Sequence, residues 1–269
     1  MYKLIALDMD GTLLTSEKTI STRTKNAIAS ARQRGVKVVL ASGRPLDGMQ
    51  DKLNELNIDG DNEFVVYFNG SMVKELGTNK IIHNAIIDGK RTKQVAELAK
   101  NLGADCHAFS TELGLITPRL NEYTDIESII NQIPVTVFDF DTLEDDHPII
   151  KAMIVAAPQQ LTELIKQIPQ SMRDSFTIVQ SAPFFLEFLS LDSNKGVGVK
   201  AIADYLDIAA ENVICMGDAE NDHHMLEYAG LGVAMENAME QTKAIADYIT
   251  ASNNDDGVAK VIEEFVLSK

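Results

Sequence analysis

The run Asp8-Met9-Asp10-Gly11-Thr12 places two carboxylates and a hydroxyl directly behind the apolar stretch Leu4-Ile5-Ala6-Leu7. Acids at the carboxyl end of a strand in an open α/β sheet face the crevice where ligands bind. A strand period of two predicts that Asp8 and Asp10 point to one side, with Met9 between them, and Gly11 lets the chain turn away. Carboxylates this close repel, so they need a cation, a shared proton or a chemical purpose. Hard oxygen ligands of this kind suit Mg²⁺, with a substrate phosphate completing the coordination. A solvated acidic turn is the alternative that these five residues alone leave open.

Three more segments carry residues of the same character. Ser42-Gly43-Arg44-Pro45 follows a second apolar run and so falls on the same sheet edge as Asp8. The Ser42 hydroxyl and the amides near Gly43 suit phosphate oxygens at the start of the next helix. Plain helix-start chemistry, with Pro45 in the first turn, reads the same residues without a ligand. Lys195 opens a later helix, where the dipole favours anions; the misfit points to a negatively charged partner, against the alternative of a solvated lysine. Gly217-Asp218-Ala219-Glu220-Asn221-Asp222 again puts acids behind a strand, so Asp218 can reach the metal of Asp8, with Asp222 one layer behind. A helix start that favours Asp and Asn is the competing account.

Other polar groups carry less. His223 and His224 are adjacent on a predicted helix and point about 100° apart, so they do not ligate one metal together. Asp139, Asp141, Glu144, Asp145, Asp146 and His147 read as a solvated loop, and Phe184-Phe185 as packing.

The elements that must position these residues alternate between strand and helix. After Leu4–Leu7 comes a helical stripe from about Thr22 to Arg34, then the strands 36–41 and 64–68, the latter closed by the turn pair Asn69-Gly70. The alternation resumes with a helix 195–206, a strand 213–216, a helix 222–229 and a strand 231–234. A helix 239–246, a strand 248–250 and a helix 257–266 end the chain. This spacing predicts parallel βαβ units around a buried sheet. Between about His83 and Phe188 short strands surround two helices, 92–102 and 161–168, which predicts an inserted α+β unit with a mainly antiparallel sheet.

With 269 residues, 45% of them hydrophobic, the chain has room for two compact units. A formal net charge of −16 argues against a nucleic-acid surface but not against a small phosphorylated ligand held in a local positive pocket. No apolar stretch approaches the ~20 residues of a membrane span. The N-terminus has no signal-peptide pattern, which predicts a cytoplasmic protein. Cys106 and Cys215 lack any metal-ligand or redox spacing and read as buried thiols.

Asp-x-Asp-Gly-Thr, Ser-Gly-Arg, a Lys before a late helix and Gly-Asp-x-x-Asn-Asp occur here in that order. Together they resemble the haloacid dehalogenase-like phosphatases, and closely the Cof-type branch, subfamily IIB, over the whole chain. Ser181-Ala182-Pro183-Phe184-Phe185-Leu186-Glu187 and Gly230-Leu231-Gly232-Val233-Ala234-Met235 add to the likeness.

The resemblance implies an α/β fold: a doubly wound, mainly parallel core of residues 1–82 and 189–269, and an α+β cap of residues 83–188 inserted after the third strand. It implies a Mg²⁺-dependent phosphatase for small phosphate monoesters, chiefly sugar phosphates. Asp8 would be the nucleophile and Asp10 the general acid and base. Asp8, the Asp10 carbonyl and Asp218 would hold Mg²⁺, with Asp222 orienting them. Ser42, Gly43, Lys195, Asn221 and the Met9 amide would bind phosphoryl oxygens, and Arg44 would meet the leaving group or the cap. The cap would close over the site and choose the substrate. The expected partner is a small phosphorylated metabolite, and the expected assembly a monomer or homodimer. A phosphotransferase or mutase is the enzymic alternative. A phospho-receiver switch also clusters aspartates, but Asp8 after the first strand and so long an insertion count against it.

Overall fold

In a computed structural model that describes residues 1–268, Leu4–Leu7 forms strand β1 with all four side chains buried. A strand apolar on both faces belongs inside a parallel sheet covered by helices. Helix α1 (Thr22–Gln33) starts at Ser21, whose side chain accepts the Thr24 N–H, and leads through Gly35 into β2 (Lys37–Ala41). Short helix α2 (Gln50–Glu55) and β3 (Phe64–Tyr67) follow, then the hairpin β4 (Met72–Glu75) and β5 (Ile81–Asn84).

The chain divides into two compact units. One holds Met1–Gly43, Met49–Asn84 and Asn194 onward; the other holds Arg44–Gly48 and Ala85–Ser193. The second unit is built from α3 (Gly89–Asn101), β6 (Asp105–Ser110), β7 (Gly114–Thr117), α4 (Glu122–Asn131), β8 (Val135–Val137), β9 (Ile149–Val155), α5 (Pro158–Ile165), α6 (Gln170–Arg173), β10 (Thr177–Ala182) and β11 (Phe185–Leu189). Its six strands run in the order β10-β11-β9-β6-β7-β8, antiparallel except for β7 beside β8. Cys106, Ala108, Ala152, Ile154, Leu186 and Phe188 share a core with Val95 and Ala99 of α3 and Leu161 and Leu164 of α5.

Back in the first unit, α7 (Lys195–Tyr205), β12 (Val213–Gly217), α8 (His223–Tyr228), β13 (Leu231–Ala234), α9 (Glu240–Ile245), β14 (Tyr248–Ile249) and α10 (Gly257–Ile262) complete the chain. Among the described residues its sheet has eight strands in the order β14-β13-β12-β1-β2-β3-β4-β5. Pairing is parallel from β14 to β3, and β4 and β5 add an antiparallel edge. This is the doubly wound, mainly parallel α/β core. The chain winds outward from β1 through β2 and β3 on one side and through β12, β13 and β14 on the other. The switch point, where such sheets open a ligand crevice, is therefore at β1.

Several expectations change. Between the third strand and the second unit the chain adds the β4–β5 hairpin, and the second unit resumes at Ala85. The helix expected over 222–229 is α8, with a 3-10 turn at Glu220–Asp222 leading into it, whereas α10 passes into a π-helical turn at Glu263–Leu267. Helix α4 and the hairpin were not anticipated. Among the described residues no helix is long and apolar enough to cross a membrane.

Candidate active site

The sheet register brings the motifs level. Leu7 pairs with Met216 of β12 and with Leu40 of β2. Asp8 therefore leaves β1 beside Gly217 and Ala41, and Asp218 and Ser42 each stand one residue further out. Leu40 and Ala41 pair in turn with Val65 and Val66, which carries Asn69 to the same edge. The sheet stops at Leu7, so the strand period does not govern Asp10; the turn that begins at Asp8 places both acids.

At the centre lies Lys195, fully buried, whose Nζ donates to Asp8 Oδ1 at 2.6 Å and to Asp222 Oδ1 at 2.7 Å. These two carboxylates are the anionic partners that a lysine at a helix start required. The helix itself is capped by Asn194, whose side chain accepts the Val197 N–H at 2.9 Å, and this frees the lysine to reach across to β1. Asp222 Oδ2 accepts the amides of Asp218 and Ala219 at 2.9 and 3.0 Å. Both of its oxygens are thus engaged in holding Lys195 and the Asp218 loop.

Asp218 faces Asp8. Thr12 Oγ1 donates to Asp218 Oδ1 at 3.0 Å, and Gly11, at φ +88°, passes so close that a Cβ there would run into the Asp218 carboxylate. Burial raises the Asp8 carboxyl well above its ordinary value; Lys195 pulls it down, and the charges of Asp222 and Asp218 push it up again. Burial also pushes Asp218 up to about 6, with the charge of Asp222 adding to it. Burial works against the Lys195 ammonium, but Asp222 and Asp8 outweigh it and raise its pKa.

Asp8, Asp218 and Asp222 each offer an oxygen within 4.8 Å of the others. Three carboxylates face one ammonium, so the cluster carries excess negative charge in a buried place. Oxygen donors with this charge excess fit a hard divalent cation, whose arrival would lower the raised carboxyls.

The phosphate candidates converge on Asn69, which the sequence reads as half of the turn pair closing the third strand. Asn69, buried at φ 54°, donates its N–H to the Ser42 carbonyl at 2.9 Å and accepts from Asn221 Nδ2 at 3.0 Å through Oδ1. A Cβ on Gly43 would stand 3.0 Å from Asn69 Nδ2, so Ser42, Gly43 and Asn221 are gathered around one amide. The next residue, Gly70 at φ +89°, passes against the Asn194 carbonyl, where a side chain would not fit. Its place at the carboxyl end of the third strand was the signal that Asn69 belongs with the others.

Met9 is buried, and its carbonyl accepts the Leu14 N–H at 2.8 Å. The Asp10 side chain is not in the acidic cluster; it is 40% exposed and takes Lys18 Nζ at 2.8 Å. No helix starts at Ser42–Pro45: the next regular turn is the 3-10 segment Asp47–Met49, and Pro45 precedes it. Arg44, expected as a residue of the core, groups with the second unit, where its Nη1 donates to the Gly48 carbonyl at 3.2 Å. His223 Nε2 lies 2.8 Å from Thr242 Oγ1, and His224 is exposed. Asp139, Asp141, Glu144, Asp145 and Asp146 are exposed as expected, but His147 of the same stretch is half-buried, its Nε2 2.8 Å from Ser110 Oγ; Phe184 and Phe185 pack edge to face, and both cysteines are buried free thiols.

A family model described as haloacid dehalogenase-like hydrolase matches residues 5–262. The candidate phosphatase YxeH of Bacillus subtilis is 38% identical over the full length of both chains. The 5-amino-6-(5-phospho-D-ribitylamino)uracil phosphatase YcsE of the same organism is 32% identical over 98% of this chain and 96% of its own. The solved structure of BT4131, a sugar phosphatase of HAD subclass IIB, superposes with a TM-score of 0.81 at 26% identity, covering 98% of each chain.

Proposed function

Because the chain belongs to the haloacid dehalogenase-like hydrolases and is a phosphatase, we propose that it is a Mg²⁺-dependent, Cof-type enzyme that hydrolyses sugar phosphates and similar small monoesters through an aspartyl-phosphate on Asp8. The observation that carries the proposal is the cluster in which buried Lys195 pairs with Asp8 and Asp222 and the half-buried Asp218 offers an oxygen within 4.8 Å of theirs. The substrate class is supported by the two relatives named for a sugar phosphate and a phosphorylated ribityl chain.

Asp8 and Asp218, with the Asp10 carbonyl, would hold Mg²⁺, and Asp222 would orient them. When bound, the ion supplies charge neutralisation for the anionic substrate and the acidic cluster. A carboxylate oxygen of Asp8 attacks phosphorus, forming the aspartyl-phosphate bond as the bond to the leaving oxygen breaks. Asp10, protonated, gives its proton to that oxygen. In the second step Asp10 takes a proton from water, whose oxygen bonds to phosphorus as the bond to Asp8 breaks and the carboxylate returns. Lys195 holds Asp8 in line and, with Ser42, Gly43, Asn221 and the Met9 amide, stabilises the phosphoryl oxygens. Asn69 keeps Ser42, Gly43 and Asn221 together.

Residues 1–82 and 189–269 are assigned as the catalytic domain and residues 83–188 as the cap that selects the leaving group, with Arg44 a contact to it. The enzyme is placed in the cytoplasm, acting as a monomer or homodimer on a small phosphorylated metabolite.

Phosphate release from a panel of sugar phosphates, nucleotides and p-nitrophenyl phosphate, with Mg²⁺ and with chelator, tests the proposal. Release from sugar phosphates that stops with chelator is expected. Isomerised or transferred product without free phosphate would make the enzyme a mutase or phosphotransferase instead.

A further inference from the structure

We infer that Asn69 is a positioning residue for the phosphoryl group: it sets which end of the Asn221 amide meets the phosphate and aims the Ser42–Gly43 peptide beside it. The inference deepens the proposed function and rests on its assignment of Ser42, Gly43 and Asn221 as phosphoryl ligands.

Asn69 stands in the turn between β3 and β4, where Phe68, Asn69 and Gly70 follow one another at φ 50°, 54° and 89°. A bulky side chain such as Phe68 at positive φ is an outlier, and strained backbone persists where the surrounding structure holds it in place. Asparagine tolerates the left-handed conformation, and glycine would satisfy it equally well. Turn chemistry therefore accounts for the backbone of Asn69 but not for its amide. That amide is buried, the residue being 4% exposed, and it bonds across the fold to a residue 152 positions on.

Asn69 Oδ1 accepts from Asn221 Nδ2 at 3.0 Å. An asparagine amide carries donors at one end and an acceptor at the other, and a phosphoryl oxygen is matched only by the donors. By taking one N–H of Nδ2, Asn69 fixes the direction of that end of Asn221 and leaves the second N–H for the ligand. Asn69 Nδ2 would lie 3.0 Å from a Cβ on Gly43, so the paired amides stand beside the Ser42–Gly43 peptide.

The backbone of Asn69 acts on that peptide directly, its N–H donating to the Ser42 carbonyl at 2.9 Å. In a planar trans peptide the carbonyl and the N–H point opposite ways, so this bond turns the Gly43 N–H away from Asn69. Gly70 then passes against the Asn194 carbonyl, one residue before Lys195. One turn thus touches all three segments that carry the phosphoryl ligands.

The cost of Asn221→Ala should depend on residue 69. It is read as kcat/KM in full-length enzyme with Mg²⁺, in wild type, in Asn69→Gly and in Asn69→Asp, with p-nitrophenyl phosphate and with the sugar phosphate that wild type hydrolyses fastest. Glycine keeps the left-handed turn and its backbone bond to Ser42 but removes the amide, whereas aspartate keeps an acceptor for Asn221 Nδ2 and tolerates the same φ. In wild type, Asn221→Ala should lower kcat/KM at least about tenfold, the loss of one donor to the phosphoryl group. Asn69→Gly should itself lose about as much, and adding Asn221→Ala to it should cost less than about threefold more, because an unheld Asn221 no longer serves. In Asn69→Asp the cost should return to its wild-type size, since the added charge weakens both enzymes being compared and cancels in their ratio. Both substrates should give the same pattern, the phosphoryl group being common to them.

A full Asn221→Ala loss in the Asn69→Gly background would overturn the inference, because Asn221 would then keep its role without Asn69. A negligible loss in the Asn69→Asp background would overturn it as well, and that comparison stands if the glycine variant does not fold. If Asn221→Ala has no effect in a wild-type background that releases phosphate, Asn221 is not a phosphoryl ligand and the inference falls while the phosphatase reading stands. A wild-type enzyme that hydrolyses neither substrate contradicts the proposed function itself and the inference with it.

Discussion

Lys195 is the residue on which the site turns. Placed where a helix dipole disfavours it, it is held by two buried carboxylates, Asp8 and Asp222. Each group makes the other tolerable, but the sum is still one ammonium against three acids with Asp218 included. The residual negative charge predicts how the protein responds to Mg²⁺. Asp8 and Asp218 have raised pKa values in the metal-free fold, Asp218 at about 6, so their protonated forms suit the fold. Both contributions are therefore full below the unfolded carboxyl range near 4 and are lost as pH rises, that of Asp218 through about 6. Mg²⁺ requires the deprotonated forms and relieves their repulsion. Thermal unfolding should show Mg²⁺ stabilising the protein more at pH 7.5 than at pH 5, and Asp218→Asn should weaken the effect at the higher pH. A metal shift independent of pH and unchanged in the variant would contradict this.

At the scale of elements, the strands that carry the motifs were legible because each is a short apolar run followed by polar residues, as in β1 before Asp8 and β12 before Asp218. Helix α4 was not legible, for a physical reason. Its buried positions are Thr124, Glu127 and Asn131, while Ile129 and Ile130 face outward at 75% and 57% exposure. A helix that turns its polar side inward has no apolar stripe to read. It does so to meet polar residues on one face of the second sheet. His107 of β6 has Nδ1 3.0 Å from Thr124 Oγ1, and Lys151 of β9 pairs with Glu187 of β11 at 2.8 Å and stands 3.9 Å from Glu127. Burial pushes His107 down to about 3, with Lys151 adding to it. The fold thus favours neutral His107, and its contribution is full above the unfolded value near 6.5 and lost as pH falls toward 3. A depression of this size corresponds to something on the order of 5 kcal/mol at full swing. Urea unfolding at pH 7, 5.5 and 4.5 should show wild type losing its advantage over His107→Gln as the solution is acidified. An advantage that is constant or grows in acid would contradict the buried neutral imidazole.

Over the whole molecule, 40 acidic residues against 24 Lys and Arg give a chain that repels polyanions, yet the proposed substrate is an anion. The buried lysine and the groups around Asn69 reconcile the two by concentrating donors at one sheet edge. Sequence order alone could align the motifs with a family but could not place Asn69 among them. Asn69 joins through the parallel register of β3. The full-length match to the family fits a site assembled from residue 8 to residue 222 and depends on the sheet order that brings β12 beside β1. The central claim is that phosphoryl transfer passes through Asp8, and the direct measurement is phosphate release by Asp8→Asn beside wild type, with folding checked by circular dichroism. Loss of turnover by about 10⁴-fold or more in a folded variant is the predicted result. Appreciable turnover in that variant would contradict the assignment of Asp8 as the nucleophile.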